Sequence, residues 1–165
     1  NPYEFEGTYV LPENQLDRFL MRIHLGYPSA DDESRVIKQQ PARTSLQELQ
    51  PLMPTQDIEE AQRSVDKIKL ADSLVNYIIA LSTASRQAED LQVGRSTRGG
   101  LALAQVAKAT ALLHDRDYCV PEDIISNVLS VCAHRLVSRT YMHDGDTNAT
   151  SRIMQQVLET VPSPA

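Results

Sequence analysis

The stretch Gly94-Arg95-Ser96-Thr97-Arg98-Gly99-Gly100 gathers the residue types that hold a small anion. It stands just ahead of an alanine- and leucine-rich segment, 98–113, whose composition predicts a helix. Free backbone N–H groups and a positive helix end then point out of the stretch. Arg95 and Arg98 add full charges, and the glycines let a ligand come close to the backbone. A phosphate suits such a site; an exposed loop whose arginines meet nearby acids is the plainer reading. A second position of interest lies far upstream. Leu16-Asp17-Arg18-Phe19 turns two apolar residues toward a core and leaves Asp17 and Arg18 together at a turn, which by itself reads as a solvated ion pair.

The elements that position these residues follow from periodicity and punctuation. Leu11–Phe19 predicts a short helix with Pro12 in its first turn. Met21, Ile23 and Leu25 alternate with Arg22 and His24, the period-2 pattern of a strand ended by Gly26 and Pro28. That strand has no mate of comparable strength downstream. Its sheet is therefore expected to come from chain lying before Asn1. From Ser29 the pattern becomes helical. Ser29-Ala30-Asp31-Asp32 starts a helix to about Gln40, Ser45–Glu48 gives a short turn, and Asp57 caps a segment to about Arg63. Val65, Ile68 and Leu70 predict a brief extended stretch.

Leu74, Tyr77, Ile78, Leu81 and Ala84 recur at i, i+3, i+4, i+7, which predicts an amphipathic helix over 72–88. In the helix over 98–113, Leu101, Ala104 and Leu112 cover more than one face, so it is expected to be central and mostly buried. Pro121-Glu122-Asp123 starts a helix to about His134 or Arg135, and a polar loop over 143–150 precedes a last helix over 151–160.

The 165 residues are 41% hydrophobic and 23% charged, which excludes disorder as the dominant state. No apolar run is long enough to span a bilayer, so no membrane insertion is expected. A net charge of −6 argues against nucleic acid and anionic lipid as partners. Cys119 and Cys132 fit no zinc or disulfide pattern and read as reduced thilols of a cytoplasmic protein. No phosphate-cradling Gly-Lys-Ser/Thr loop and no metal site occur. Asp144-Gly145-Asp146-Thr147-Asn148 begins like a calcium loop, but Ala149 and Gln155 stand where Gly and Glu are required.

Two groups of motifs together resemble one family. Asn1-Pro2-x-Glu4-x-x-Gly7-Thr8-Tyr9-x-Leu11-Pro12-Glu13-x-Gln15-Leu16-Asp17-Arg18-Phe19, followed by Gly26-Tyr27-Pro28, is similar to the second half of the ATPase core of MoxR-type AAA+ proteins. Gly94-x-Ser96-x-Arg98, Arg116-Asp117-Tyr118, Pro121-Glu122-Asp123 and His134-Arg135-Leu136 resemble that family's helical lid. The resemblance implies a mainly α fold, with the end of an α/β core over 1–28 (a short helix and one strand) and a lid bundle over 29–165. It implies that Asn1 is the sensor-1 residue, Arg18 an arginine finger acting on a neighbouring subunit's nucleotide, and Arg98 the sensor-2 arginine; the local chemistry of its stretch makes Arg95 a further candidate contact.

For the parent protein the resemblance implies ATP and Mg²⁺, a homo-oligomeric ring expected to be a hexamer, and ATP hydrolysis. That hydrolysis would drive chaperone-like remodelling or cofactor insertion of a client, with a von Willebrand factor A protein as one expected partner. The Walker A and Walker B elements would precede Asn1. This stretch alone is therefore expected to hold no nucleotide and to be inactive. Val120 departs from the threonine the family has before Pro-Glu-Asp, and Thr97 from a frequent proline. The alternatives are a self-contained helical protein-interaction module, against which the unpaired strand speaks, and a helical nucleic-acid binder, against which net acidity speaks.

Overall fold

The computed structural model describes residues 11–39, 49–139 and 147–164. Asn1, the Ser45–Glu48 turn and the Asp144–Asp146 loop lie outside these residues. The chain divides into two compact units, one formed by the residues before Ile23 and after Arg63, the other by Ile23–Arg63.

In the second unit, α2 (Ala30–Gln39) begins at Ser29, whose hydroxyl accepts the Asp32 N–H at 3.2 Å and donates to Asp32 Oδ2 at 2.7 Å. The next helix, α3 (Thr55–Lys67), starts two residues before Asp57 and runs past Arg63. Neither helix buries a residue, and Val36, Ile37 and Ile58 are exposed.

The first unit opens on α1 (Glu13–Leu16), one turn stitched by the Gln15 and Leu16 N–H groups to the Pro12 carbonyl. The alternation at Met21–Leu25 forms no ladder among the described residues. With no neighbouring strand to complete it, the Arg22 N–H instead bonds the Ser130 carbonyl at 2.8 Å, and Ile23 and Leu25 stay exposed. After α3 the extended stretch narrows to a parallel bridge between Lys69 and Tyr118, where the Cys119 N–H meets the Lys69 carbonyl at 3.0 Å.

The core of this unit is helical. In α4 (Asp72–Gln87), Leu74, Tyr77, Ile78 and Leu81 are buried, as the spacing predicts. A short antiparallel ladder follows, β1 (Leu91–Val93) against β2 (Val137–Ser138), which periodicity did not announce. Central α5 (Thr97–Leu113) packs against α4, α6 (Pro121–Ile125) and α7 (Val128–Cys132). Its inward residues are Ala102, Leu103, Val106, Ala107 and Ala111, whereas Leu101 is 70% exposed. The last helix, α8 (Thr147–Thr160), brings Met154 and Val157 against this core and starts earlier than its apolar residues suggest, because its first turn is polar.

Two local departures have chemical causes. The helix expected from Pro121 to Arg135 is broken at Ser126–Asn127 and ends in a 3₁₀ turn, Ala133–Arg135. The Asn127 side chain donates to Thr110 Oγ1 and to the Asp123 carbonyl, both at 2.9 Å, and so competes with the backbone ladder. At the end of α5, Asp115 adopts φ 54°, and the N–H groups of Asp115 and Arg116 bond the Leu112 and Ala111 carbonyls, each at 3.0 Å. This is a Schellman closure with aspartate where glycine is usual. No described helix is long and apolar enough to cross a membrane.

Candidate functional site

The predicted anion stretch forms the first turn of α5 and the turn before it. Ser96 is the N-cap: its hydroxyl accepts the Gly99 N–H at 3.2 Å. Thr97 opens the helix, and no acid occupies its first turn to cancel the positive end.

Arg98 and Arg95, three residues apart, have opposite fates. The Arg98 side chain is 58% exposed and held by one long contact, 3.5 Å from Nη1 to Asp17 Oδ2. Such an exposed pair contributes at most about 1 kcal/mol, so the guanidinium is available to another anion.

Arg95, expected beside Arg98 as an anion contact, is instead fully buried. Its Nη2 donates to the Ile78 carbonyl and Ser82 Oγ, and Nη1 points at Cys132 Sγ at 3.6 Å. Its own N–H bonds Ser85 Oγ at 3.0 Å. The cation is solvated by carbonyl and hydroxyl dipoles inside the protein and cannot meet a ligand outside it. Gly99 makes room: a Cβ there would lie 2.8 Å from Arg95 Cγ and 3.2 Å from Arg135 Cδ.

The segment that carries Arg18 is docked beside this turn. Asp17 Oδ1 accepts the Ser96 hydroxyl at 2.9 Å and lies 3.3 Å from Arg135 Nε. Arg135, whose side chain is 2% exposed, also donates to the carbonyls of Phe19, Leu20 and Val131. Burial lowers its pKa and the Asp17 carboxylate opposes that; a guanidinium is in any case not deprotonated in a protein.

His134 Nε2 meets the Phe19 carbonyl at 3.1 Å. Burial lowers the pKa of this imidazole, and because a carbonyl only accepts, Nε2 is the donor in this contact. Arg18 itself is exposed and makes no side-chain hydrogen bond or ion pair among the described residues. Asn1 lies outside the described residues.

Asp17 and Arg135 are the members of this site that single-residue chemistry missed. Asp17 read as a partner of Arg18, yet its partners lie 79 or more positions away, and no local pattern announces them. The two motif groups that carry the family resemblance are nonetheless the ones that touch here: Leu16–Phe19 meets Ser96, Arg98 and His134-Arg135.

Both thiols are buried and free, and burial pushes each of them up. The described residues contain no cluster of His, Cys, Asp or Glu able to hold a metal ion.

Comparison with known proteins bears on the family and the fold. The AAA lid domain family matches residues 83–157, from late α4 into α8. The chain is 41% identical over 137 residues to the uncharacterized protein YeaC of Bacillus subtilis, covering 83% of this chain and 43% of that protein. It is 33% identical over 173 residues to Chaperone MoxR1 of Mycobacterium tuberculosis, covering 99% and 45%. The crystal structure of a proposed ATPase from Cytophaga hutchinsonii superposes with a TM-score of 0.86 at 32% identity, covering all of this chain and 52% of that one. The chain spans about half the length of the curated relatives it matches. With the helical lid, the family match and the relatives in agreement, the chain belongs to the MoxR-type AAA+ ATPases, of which it is the C-terminal, lid-bearing portion.

Proposed function

We propose that this chain is the nucleotide-reading part of a ring-forming ATPase that remodels a protein client. In this reading residues 1–28 end the α/β core and 29–165 form the lid. The observation that carries it is the state of Arg98, half-exposed at the N-terminus of α5 and held only at 3.5 Å by Asp17. An exchangeable guanidinium on a positive helix end fits a nucleotide phosphate, which supports a sensor-2 role within its own subunit.

Arg18, exposed and unpaired among the described residues, fits an arginine finger offered to the next subunit. There a cation stabilises charge on the transferring phosphoryl group, worth about 10³-fold or more in other NTPases. Asn1 takes the sensor-1 role. ATP with Mg²⁺ supplies the phosphoryl group. The described residues fit its phosphate end through Arg98 and hold no carboxylate cluster for the metal.

A hexameric ring, and a chaperone-like or cofactor-inserting action on a client that includes a von Willebrand factor A protein, complete the reading. The name Chaperone MoxR1 borne by one relative supports the client part. In the full-length protein, Arg98→Ala is expected to weaken the nucleotide response. Arg18→Ala is expected to abolish turnover while nucleotide binding survives, and full activity in that variant refutes the finger assignment.

A further inference from the structure

Asp17 sits between the two arginines just assigned. Its Oδ2 lies 3.5 Å from Arg98 Nη1, its Oδ1 accepts the Ser96 hydroxyl at 2.9 Å and lies 3.3 Å from Arg135 Nε, and its chain neighbour is Arg18. Among the described residues it is the only carboxylate paired with either Arg98 or Arg135.

The two pairs differ in what they can give up. Arg98 is exposed, long in contact and at a helix end, so a phosphate can draw it away. Arg135 is buried, tied to the lid by its bond to the Val131 carbonyl and to the Arg18 segment by its bonds to the Phe19 and Leu20 carbonyls, so it cannot follow. Releasing Arg98 therefore leaves Asp17, and the Arg18 segment with it, fastened to the lid.

We infer that Asp17 is a positioning residue that couples the two arginines. It restrains Arg98 until a phosphate displaces it, and it holds the Arg18 segment on the lid so that lid movement reaches Arg18. The inference rests on the nucleotide reading of Arg98 and Arg18 given above.

The test compares Asp17→Asn, Arg98→Ala and the double variant in the full-length protein, measuring AMP-PNP affinity and ATP turnover. Asparagine keeps the shape of the side chain and still accepts from Ser96. Asp17→Asn should tighten AMP-PNP binding about two- to fivefold, the scale of one exposed ion pair. It should lower kcat about tenfold or more through misplacement of Arg18, and Asp17→Glu, which keeps the charge, should recover part of that kcat. In the Arg98→Ala background the asparagine should leave affinity unchanged and still lower kcat.

Absence of either effect of Asp17→Asn, or an equal affinity change with and without Arg98, overturns the coupling. If Arg98→Ala leaves AMP-PNP binding unchanged, the nucleotide reading itself fails and the coupling falls with it. If Arg98→Ala weakens binding and Asp17→Asn does nothing, the coupling alone fails. Should Asp17→Asn not fold, hydrogen exchange of the Arg22 amide in the unaltered protein decides. It should stay equally slow when AMP-PNP binds, and acceleration there overturns the inference.

Discussion

The guanidinium of Arg116 meets the carboxylate of Asp123 as a two-toothed fork, Nη1 to Oδ2 at 2.8 Å and Nη2 to Oδ1 at 2.6 Å. The same Oδ2 accepts the Val120 N–H at 2.8 Å, so one buried side chain closes the α5–α6 loop and caps α6. Valine at 120 has no hydroxyl to offer the first turn, and the Asp123 N–H turns to the Val120 carbonyl at 3.1 Å instead.

Burial pushes the Asp123 carboxyl up, but the Arg116 fork and the Val120 N–H more than reverse this and hold it below the ordinary carboxylate range. A lowered folded pKa means the stabilisation is complete above the unfolded value, about 3.9, and is lost as pH falls through the folded one. Asp123→Asn should cost about 2 kcal/mol at pH 7. In urea titrations at a series of pH values, the gap between variant and wild type should close below about pH 4. A gap that stays constant into acid would remove the carboxylate from the account.

Arg95 and Arg98 should separate cleanly in stability. Arg95→Ala empties a fully buried site and strips a donor from Ser82, and should cost about 3 kcal/mol in urea unfolding. Arg98→Ala removes one exposed pair and should stay within about 0.5 kcal/mol of wild type. Equal costs would mean that Arg95 is not inside the lid.

Gly94 passes directly over the last turn of α4. A Cβ there would lie 2.6 Å from Arg86 Cα and 2.8 Å from Arg86 N, backbone atoms that cannot swing aside. Gly94→Ala should therefore destabilise by about 1–3 kcal/mol, read as a lowered melting temperature in circular dichroism. A melting temperature equal to that of wild type would show that the turn has room to shift.

What the sequence disclosed, and what it withheld, divides by range. Leu74, Tyr77, Ile78 and Leu81 bury the face their spacing requires, because a helix expresses its buried stripe locally. The break at Ser126–Asn127 was hidden because it depends on Thr110, a partner 17 positions away. β1 and β2 are two or three residues each and pair across more than 40 positions, so neither carries a period of its own. Arg98 was legible as a cation at a helix start. The inward turn of Arg95 was not, since arginine is ordinarily at the surface and only the tertiary placement of Ser82, Ser85 and Cys132 brings it in.

The buried guanidinium of Arg95 also limits how relatives of this lid can diverge. The Ser82 hydroxyl donates to the Ile78 carbonyl while accepting from Arg95, Ser85 Oγ accepts the Arg95 backbone N–H, and Gly99 leaves the side chain its space. An aliphatic residue at 95 alone would take the guanidinium donor from Ser82 Oγ and the Ile78 carbonyl, and a larger residue at 99 alone would evict the cation. Substitutions at 82, 95 and 99 should be inherited en bloc, a covarying set that an alignment of homologous lids would reveal, whereas Ser85, which serves only the backbone amide of 95, should vary independently of it.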